Sequence, residues 1–219
     1  ASLVLTIASD GRVWPEALAE TLSSDGAGYV DLGYQYRTTG YPKTSRITCD
    51  FYAYRMGRGT PPGPTTTSGN RTIFGYQESS STSMSIARYT GDKVQFYYKD
   101  GGNFSAWCDG QGSHIDLDYL NGNAFWSWKD GKENISSNVP APAVDAAVSY
   151  YLFANNCYNR STLYPSVIDF RSLRIYETSD GVTETLAHDY VPCMNAGRYG
   201  VYDKVAGVIW AVRNDTNCF

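Results

Sequence analysis

Leu186-Ala-His-Asp-Tyr-Val-Pro-Cys193, then Gly200-Val-Tyr-Asp-Lys-Val205, then Ala206-Gly-Val-Ile-Trp210 is the stretch whose reading decides the fold. Leu186 to Val191 is half apolar and reads as a strand that Pro192 ends, because proline has no N–H to give to a central ladder. Asn195-Ala-Gly-Arg198 is turn chemistry. Tyr199 to Asp203 and Gly207 to Val212 then form two short strands, hinged between Lys204 and Gly207.

Upstream the same grammar repeats. Thr44 to Tyr54 alternates Ile47, Cys49, Phe51 and Ala53 against Arg46, Thr48, Asp50 and Tyr52, a strand with one dry and one wet face. His114 to Leu120 sets Ile115, Leu117 and Tyr119 against Asp116 and Asp118. Thr72 to Tyr76, Met84 to Tyr89 and Lys93 to Lys99 are further strands, punctuated by Gly91-Asp92 and Asp100-Gly-Gly102. A spacing of about ten residues suits antiparallel strands in a sandwich. Ser166 to Tyr176 changes phase between Phe170 and Leu173, which predicts a bulge. Gly57 to Gly69, rich in proline and glycine, is a long surface loop. At the start, Leu3 to Ile7 reads as a strand and Pro15 to Glu20 as one or two helical turns.

Several of these segments carry a family likeness. Asp189-Tyr-Val-Pro-Cys193, Gly200-Val-Tyr-Asp-Lys204 and Gly207-Val-Ile-Trp210 resemble the closing signature of concanavalin A-like, LamG-type jelly-roll domains. Tyr29-Val-Asp-Leu-Gly33 resembles the opening strand of that family, and Gly112-Ser-His114 and Ala124 to Lys132 resemble its middle strands. The likeness spans about residues 24 to 219. It implies an all-β fold, a concanavalin A-like jelly-roll sandwich of two antiparallel sheets. Residues 1–22 would be an N-terminal extension, the tail of a preceding segment or a first strand of the sandwich, and residues 23–219 the jelly-roll domain. Such domains are common in bacterial surface proteins and phage virion proteins, so the expected location is extracellular, on a cell surface or on a virion.

Composition sets the bounds. The chain has 219 residues, enough for one large all-β domain whose core closes without metal or disulfide. Aromatic residues make up 15%, with Tyr 19, Trp 5 and Gly 21, as a turn-rich β protein requires. A formal net charge of −4 supplies no basic face for a phosphate backbone, so nucleic acid is excluded as the expected partner. No apolar run approaches the ~20 residues of a membrane span. Cys49, Cys108, Cys157, Cys193 and Cys218 include no Cys-x-x-Cys pair, and buried apolar fillers are the plainer reading of most.

Enzyme chemistry finds little material. The laminarinase-type pattern Glu-x-Asp-x-x-Glu is absent: none of Glu16, Glu20, Glu78, Glu133, Glu177 or Glu184 fits it. Asp116 and Asp118 share a strand face that reads as solvated. His114 and His188 are the two histidines, no Gly-x-Ser-x-Gly elbow accompanies them, and His188 reads as structural. The oxygen-rich loops Asp100–Asn103 and Asp109–Gly112 are what hairpin turns demand. No catalytic residue, metal or cofactor is therefore expected.

Sugar binding has more to build on, since lectin sites stack an aromatic ring on a pyranose beside amides and carboxylates. Asn103 to Gln111, read as a loop, offers Trp107, Asp109 and Gln111. Trp126 and Trp128 share one strand face. In the resembled family the inward positions would here be Ser127 and Lys129, which implies outward tryptophans; the competing reading returns them to the core through a bulge. The expected function is a non-catalytic glycan-binding or adhesion module using Trp107, Asp109, Gln111, Trp126 and Trp128. The alternative is a structural phage or appendage protein, a decoration or fibre component, whose partners are neighbouring proteins.

Overall fold

The computed structural model describes residues 6–7, 13–24, 28–53, 71–77, 82–90, 93–100, 103–109, 112–128, 133–137, 145–157, 160–163 and 168–214. The Gly57–Gly69 loop lies outside them, as do Gln111, Cys218 and the 129–132 turn. In chain order the strands begin β1 (Thr6–Ile7), β2 (Val13–Trp14), β3 (Ala17–Leu18), β4 (Leu22–Ser23), β5 (Gly28–Asp31), β6 (Lys43–Ala53) and β7 (Arg71–Gln77). There follow β8 (Thr82–Thr90), β9 (Lys93–Asp100), β10 (Asn103–Asp109), β11 (Gly112–Asp118), β12 (Asn123–Trp128), β13 (Glu133–Ser137) and β14 (Tyr151–Leu152). The last are β15 (Asn155–Cys157), β16 (Arg160–Leu163), β17 (Ile168–Thr178), β18 (Glu184–Asn195), β19 (Arg198–Asp203), β20 (Val208–Ala211) and β21 (Arg213–Asn214). No helix occurs among the described residues, so none is long and apolar enough to cross a membrane.

The fold is an all-β sandwich. The larger sheet runs β13-β12-β11-β6-β17-β18-β19-β20, with β4 added to β17 and β3 to β18. The smaller runs β10-β9-β8-β7-β14-β5-β21, and β15 joins β7 in the one parallel pairing described. Pairing is otherwise antiparallel, and β1 and β2 form a separate ribbon.

Alternation explains how the sheets face each other. Ile47, Cys49 and Phe51 of β6, Ile115 and Leu117 of β11, and Leu173 and Ile175 of β17 are buried. They share one apolar cluster with Val30, Phe74 and Leu152 of the smaller sheet. Phe153 meets Phe170 edge-on across the gap, 6.2 Å between centroids, and Tyr190 donates its hydroxyl to the Leu32 carbonyl at 3.1 Å. At one end the core is built of tyrosines: Tyr150 packs against Tyr34, Phe74 and Tyr76, and burial drives its hydroxyl pKa well up. Cys49 and Cys193 are buried free thiols, and burial pushes Cys193 up to about 11, so neither is a nucleophile at neutral pH.

The bulge expected between Phe170 and Leu173 is present: the register of β17 on β6 shifts between Phe170 and Ser172. The turn at Asn195–Arg198 is a two-residue hairpin with positive φ at Ala196 (51°) and Gly197 (71°), the type I′ arrangement that follows sheet twist.

Two expectations are corrected. Residues 15–20 form no helical turn; Ala17 and Leu18 pair with Met194 and Cys193, and Ala19 donates to the Pro192 carbonyl. Edge pairing outweighs the weak helix preference of so short a run. Nor does Pro192 end its strand, since β18 continues to Asn195. Proline stands where β17 has stopped pairing and β3 takes over, so its missing N–H leaves a gap only at that junction.

Asp203 anchors the closing hairpin. Its Oδ1 accepts from the backbone N–H groups of Asp189, Val205 and Ala206, and its Oδ2 lies 2.6 Å from His188 Nδ1. Burial raises its carboxyl, but the His188 contact and the backbone donors outweigh that and hold it below 3.8. His188 stacks on Tyr190 and meets Tyr34 edge-on, which bears out a structural histidine facing away from Asp189.

Two backbone positions should respond in opposite directions. Gly33 has φ +65°, and a Cβ there would stand 2.6 Å from the Trp210 ring, so Gly33→Ala should lose about 2–4 kcal/mol in denaturant unfolding. Ala196→Asn relieves a positive φ and should gain about 0.5–1 kcal/mol in the same assay. A neutral Gly33→Ala would contradict the Gly33–Trp210 packing.

Candidate functional site

Burying one face of the larger sheet leaves the other in order. Along β6 the residues between the core positions are Arg46, Thr48 and Asp50; along β11, His114, Asp116 and Asp118; along β17, Ser172, Arg174 and Tyr176. The register aligns them into cross-strand rows. Asp116 pairs with Thr48, Thr48 with Arg174, and Arg174 with Asp189 of β18; Lys204 then reaches Asp189 from beyond β19. That row crosses about 19 Å of sheet at the usual strand spacing. A second row joins His114, Asp50 and Ser172, and a third joins Asp118, Arg46 and Tyr176.

The side chains hold one another. His114 Nδ1 lies 2.6 Å from Asp50 Oδ1, and Ser172 donates its hydroxyl to Asp50 Oδ2 at 2.8 Å. Arg46 grips Asp116 through Nε at 2.7 Å and through Nη2, with Glu184 at 3.7 Å. Asp118 caps the turn after β11 by accepting from the backbone and side-chain amides of Asn121. Asp189 accepts from Arg174 Nε on Oδ1 at 3.2 Å and from Lys204 Nζ on Oδ2 at 3.1 Å.

An aromatic group adjoins this polar surface. In β19, Val201 and Asp203 turn toward the core side, so Tyr202 between them points the opposite way, where its ring is fully buried. Trp14 packs on Tyr202, 5.6 Å between ring centroids, and remains 47% exposed. Tyr202 pairs with Val191, two residues along β18 from Asp189. The strand position of Tyr202, on whose ring the indole packs, is therefore about 7 Å, one row, from that of Asp189. Leu18, also exposed, pairs with Cys193 of the same strand.

Chemically the face is a set of fixed acceptors and cations. The Asp50 carboxyl is held below 3.8, first by the His114 contact, against burial, and then by the Ser172 hydroxyl. Among the described residues every shifted carboxyl, of Asp50, Asp145, Asp180 and Asp203, is shifted down; a general acid needs the opposite. Ser172 donates to the aspartate and not to the imidazole, so the Ser172–Asp50–His114 order differs from that of a nucleophilic triad.

The residues named from sequence are placed as follows. Trp107 and Asp109 lie in β10 of the smaller sheet, and Asn103 to Asp109 is strand, not loop. Phe104, Ala106 and Cys108 alternate with Ser105 and Trp107, and the run pairs with β9 as a hairpin. Trp126 and Trp128 lie in β12 of the larger sheet, Trp126 opposite Ile115 and Trp128 opposite Gly112. The side chains of these four residues lie outside the described part, as does Gln111. The backbone thus puts Trp107 and the Trp126–Trp128 pair in different sheets. Trp14 was missed because residues 1–22 read as an extension; no sequence signal joins Trp14 to Tyr202.

No family model matches this chain, and no curated protein does. Among solved structures it is similar to a candidate carbohydrate-binding protein from Bacteroides ovatus, with 13% identity and a TM-score of 0.48. The match covers 89% of this chain and 57% of that one, so the chain spans little more than half of that protein. At this identity and overlap nothing about binding passes from that protein to this one.

Asp50 offers a test of the row. Its depressed pKa means that it adds stability above the unfolded value, and that this stability is lost as pH falls through the folded one. In Ser172→Ala the carboxyl should titrate at higher pH than in the parent, followed by its NMR resonance. An unmoved titration would contradict the Ser172–Asp50 bond.

Proposed function

We propose that this protein is a non-catalytic glycan-binding module, an adhesion domain displayed outside the cell or on a virion, that uses the outer face of its larger sheet. The observation carrying this reading is the exposed Trp14, seated on Tyr202 one row from the Arg174–Asp189–Lys204 cluster. A pyranose needs an aromatic plane for its C–H face and fixed donors and acceptors for its hydroxyls. Arg174, Asp189 and Tyr202 stand on strands of the larger sheet, where placement is more exact than on loops, and Lys204 follows directly on β19. The non-catalytic part is supported by the engaged state of Asp50, Asp116 and Asp118 and by the depressed Asp50 carboxyl. The concanavalin A-like jelly-roll assignment belongs to the same proposal and rests on the closing signature, whose strands β18, β19 and β20 form consecutive hairpins.

A structural role in a surface appendage or virion is the second reading. It is favoured by the exposure of Trp14 and Leu18, apolar side chains that a neighbouring protein could cover. A specific interface would bury about 800 Å² on each partner.

A broad glycan array, run with the parent, Trp14→Ala, Trp107→Ala and Trp128→Ala, separates these readings. Selective binding that Trp14→Ala abolishes is the expected result. Binding lost in Trp107→Ala with Trp14→Ala unaffected would move the site to the smaller sheet. Silence of the parent would favour the structural role.

A further inference from the structure

The outer face distributes its charge unevenly. Asp189, its side chain 9% exposed, holds two cations, one on each oxygen. Two positive heads share this one carboxylate, and Arg174 also lies close enough to Asp50 to help depress its carboxyl. Of the other carboxylates in the rows, Asp50 bonds to His114 and Ser172, Asp116 to Arg46, and Asp118 to the amides of Asn121. The cations stand above the carboxylate, Arg174 with 42% of its side chain exposed and Lys204 with 48%.

The ion pair uses only Nε of Arg174. Nη1 and Nη2, a planar fork suited to a second carboxylate, are uncommitted among the described residues. Asp189 also fixes the direction of both stems, so little side-chain freedom remains to be lost when an anion arrives. A singly charged carboxylate suits a pair of cations that already share Asp189. A doubly charged phosphate would bring surplus negative charge beside Asp189 and Asp50.

We propose that Arg174 and Lys204 form the subsite for a carboxylate carried by a sugar, a uronic or sialic acid, in a glycan whose ring lies on Trp14. This rests on the glycan-binding reading and names the ligand class of that same face. Asp189 is the positioning residue, and Arg174 and Lys204 are the groups that touch the ligand. The contact is exposed enough to be screened, so affinity for the acidic sugar falls as salt rises.

The test is calorimetry with a panel of acidic probes: galacturonate oligomers, alginate oligomers and sialyllactose. Each is paired with its carboxyl-reduced or desialylated counterpart, and a sulfated galactose oligomer is added. Measurements are made at low and at physiological ionic strength. The expected result is at least one carboxylated probe bound about tenfold or more tightly than its neutral partner, as loss of a charge-assisted contact implies. Arg174→Gln and Lys204→Gln should each remove that preference, Arg174→Lys should keep part of it, and Trp14→Ala should weaken acidic and neutral forms alike. Thermal unfolding checks that each variant is folded; should Arg174→Gln fail to fold, Lys204→Gln decides.

Equal affinity within every pair, preference for the sulfated probe, or a preference unchanged in Lys204→Gln would overturn the carboxylate subsite. Neutral binding that persists in those cases leaves the glycan-binding reading standing. Silence toward the panel and the array together removes both.

Discussion

The pairing of β6 with β17 is the interaction on which the rest of the structure depends. These strands stand side by side in the middle of the larger sheet, joined from Lys43–Thr178 to Ala53–Ile168. One face of each is apolar and must be buried, so a slip of one residue would put Ile47, Cys49 and Phe51 in water and Arg46, Thr48 and Asp50 in the core. The core thus fixes the register, and the register fixes the outer rows. The bulge between Phe170 and Ser172 is part of this arrangement. It returns Leu173 and Ile175 to the core while Ser172 meets Asp50 and Arg174 meets Thr48.

The closing hairpins extend the same logic outward. Asp203 holds its hairpin from the core side through His188 and three backbone amides, while Tyr202 and Lys204 on either side of it turn to the outer face. A buried carboxylate therefore positions both the buried ring on which Trp14 packs and a cation of the candidate site. Trp14 arrives from the other end of the chain and covers Tyr202. Ala17, Leu18 and Leu22, within the 1–22 stretch that sequence left between an extension and a first strand, pair with β17 and β18 and place Leu22 in the core.

Much of this was legible in the sequence. The alternation in Thr44–Tyr54 and His114–Leu120 located two strands and their dry faces, and the phase change near Phe170 located the bulge. Turn chemistry at Asn195–Arg198 located the closing hairpin. Short apolar runs near an edge were less legible: Ala17 and Leu18 follow their partner strand, and helix preference over so few residues has no power to resist. The candidate site was mostly hidden. Asp116 and Asp118 were visible as an outer pair, but Arg174, Asp189 and Lys204 come together only through register. Trp14 needs a partner 188 positions away in the chain, Tyr202. Composition pointed to aromatic-rich loops instead, because a tryptophan beside Asp and Gln is conspicuous in one dimension.

The most direct measurement of the binding face is an NMR titration of the labelled protein with galacturonate oligomers, following every backbone amide. Shifts concentrated at Thr48, Arg174, Asp189, Val191, Tyr202 and Lys204, with the Trp14 indole, are the predicted result. Shifts confined to β9 and β10, or an unperturbed larger sheet while ligand binds, would contradict it.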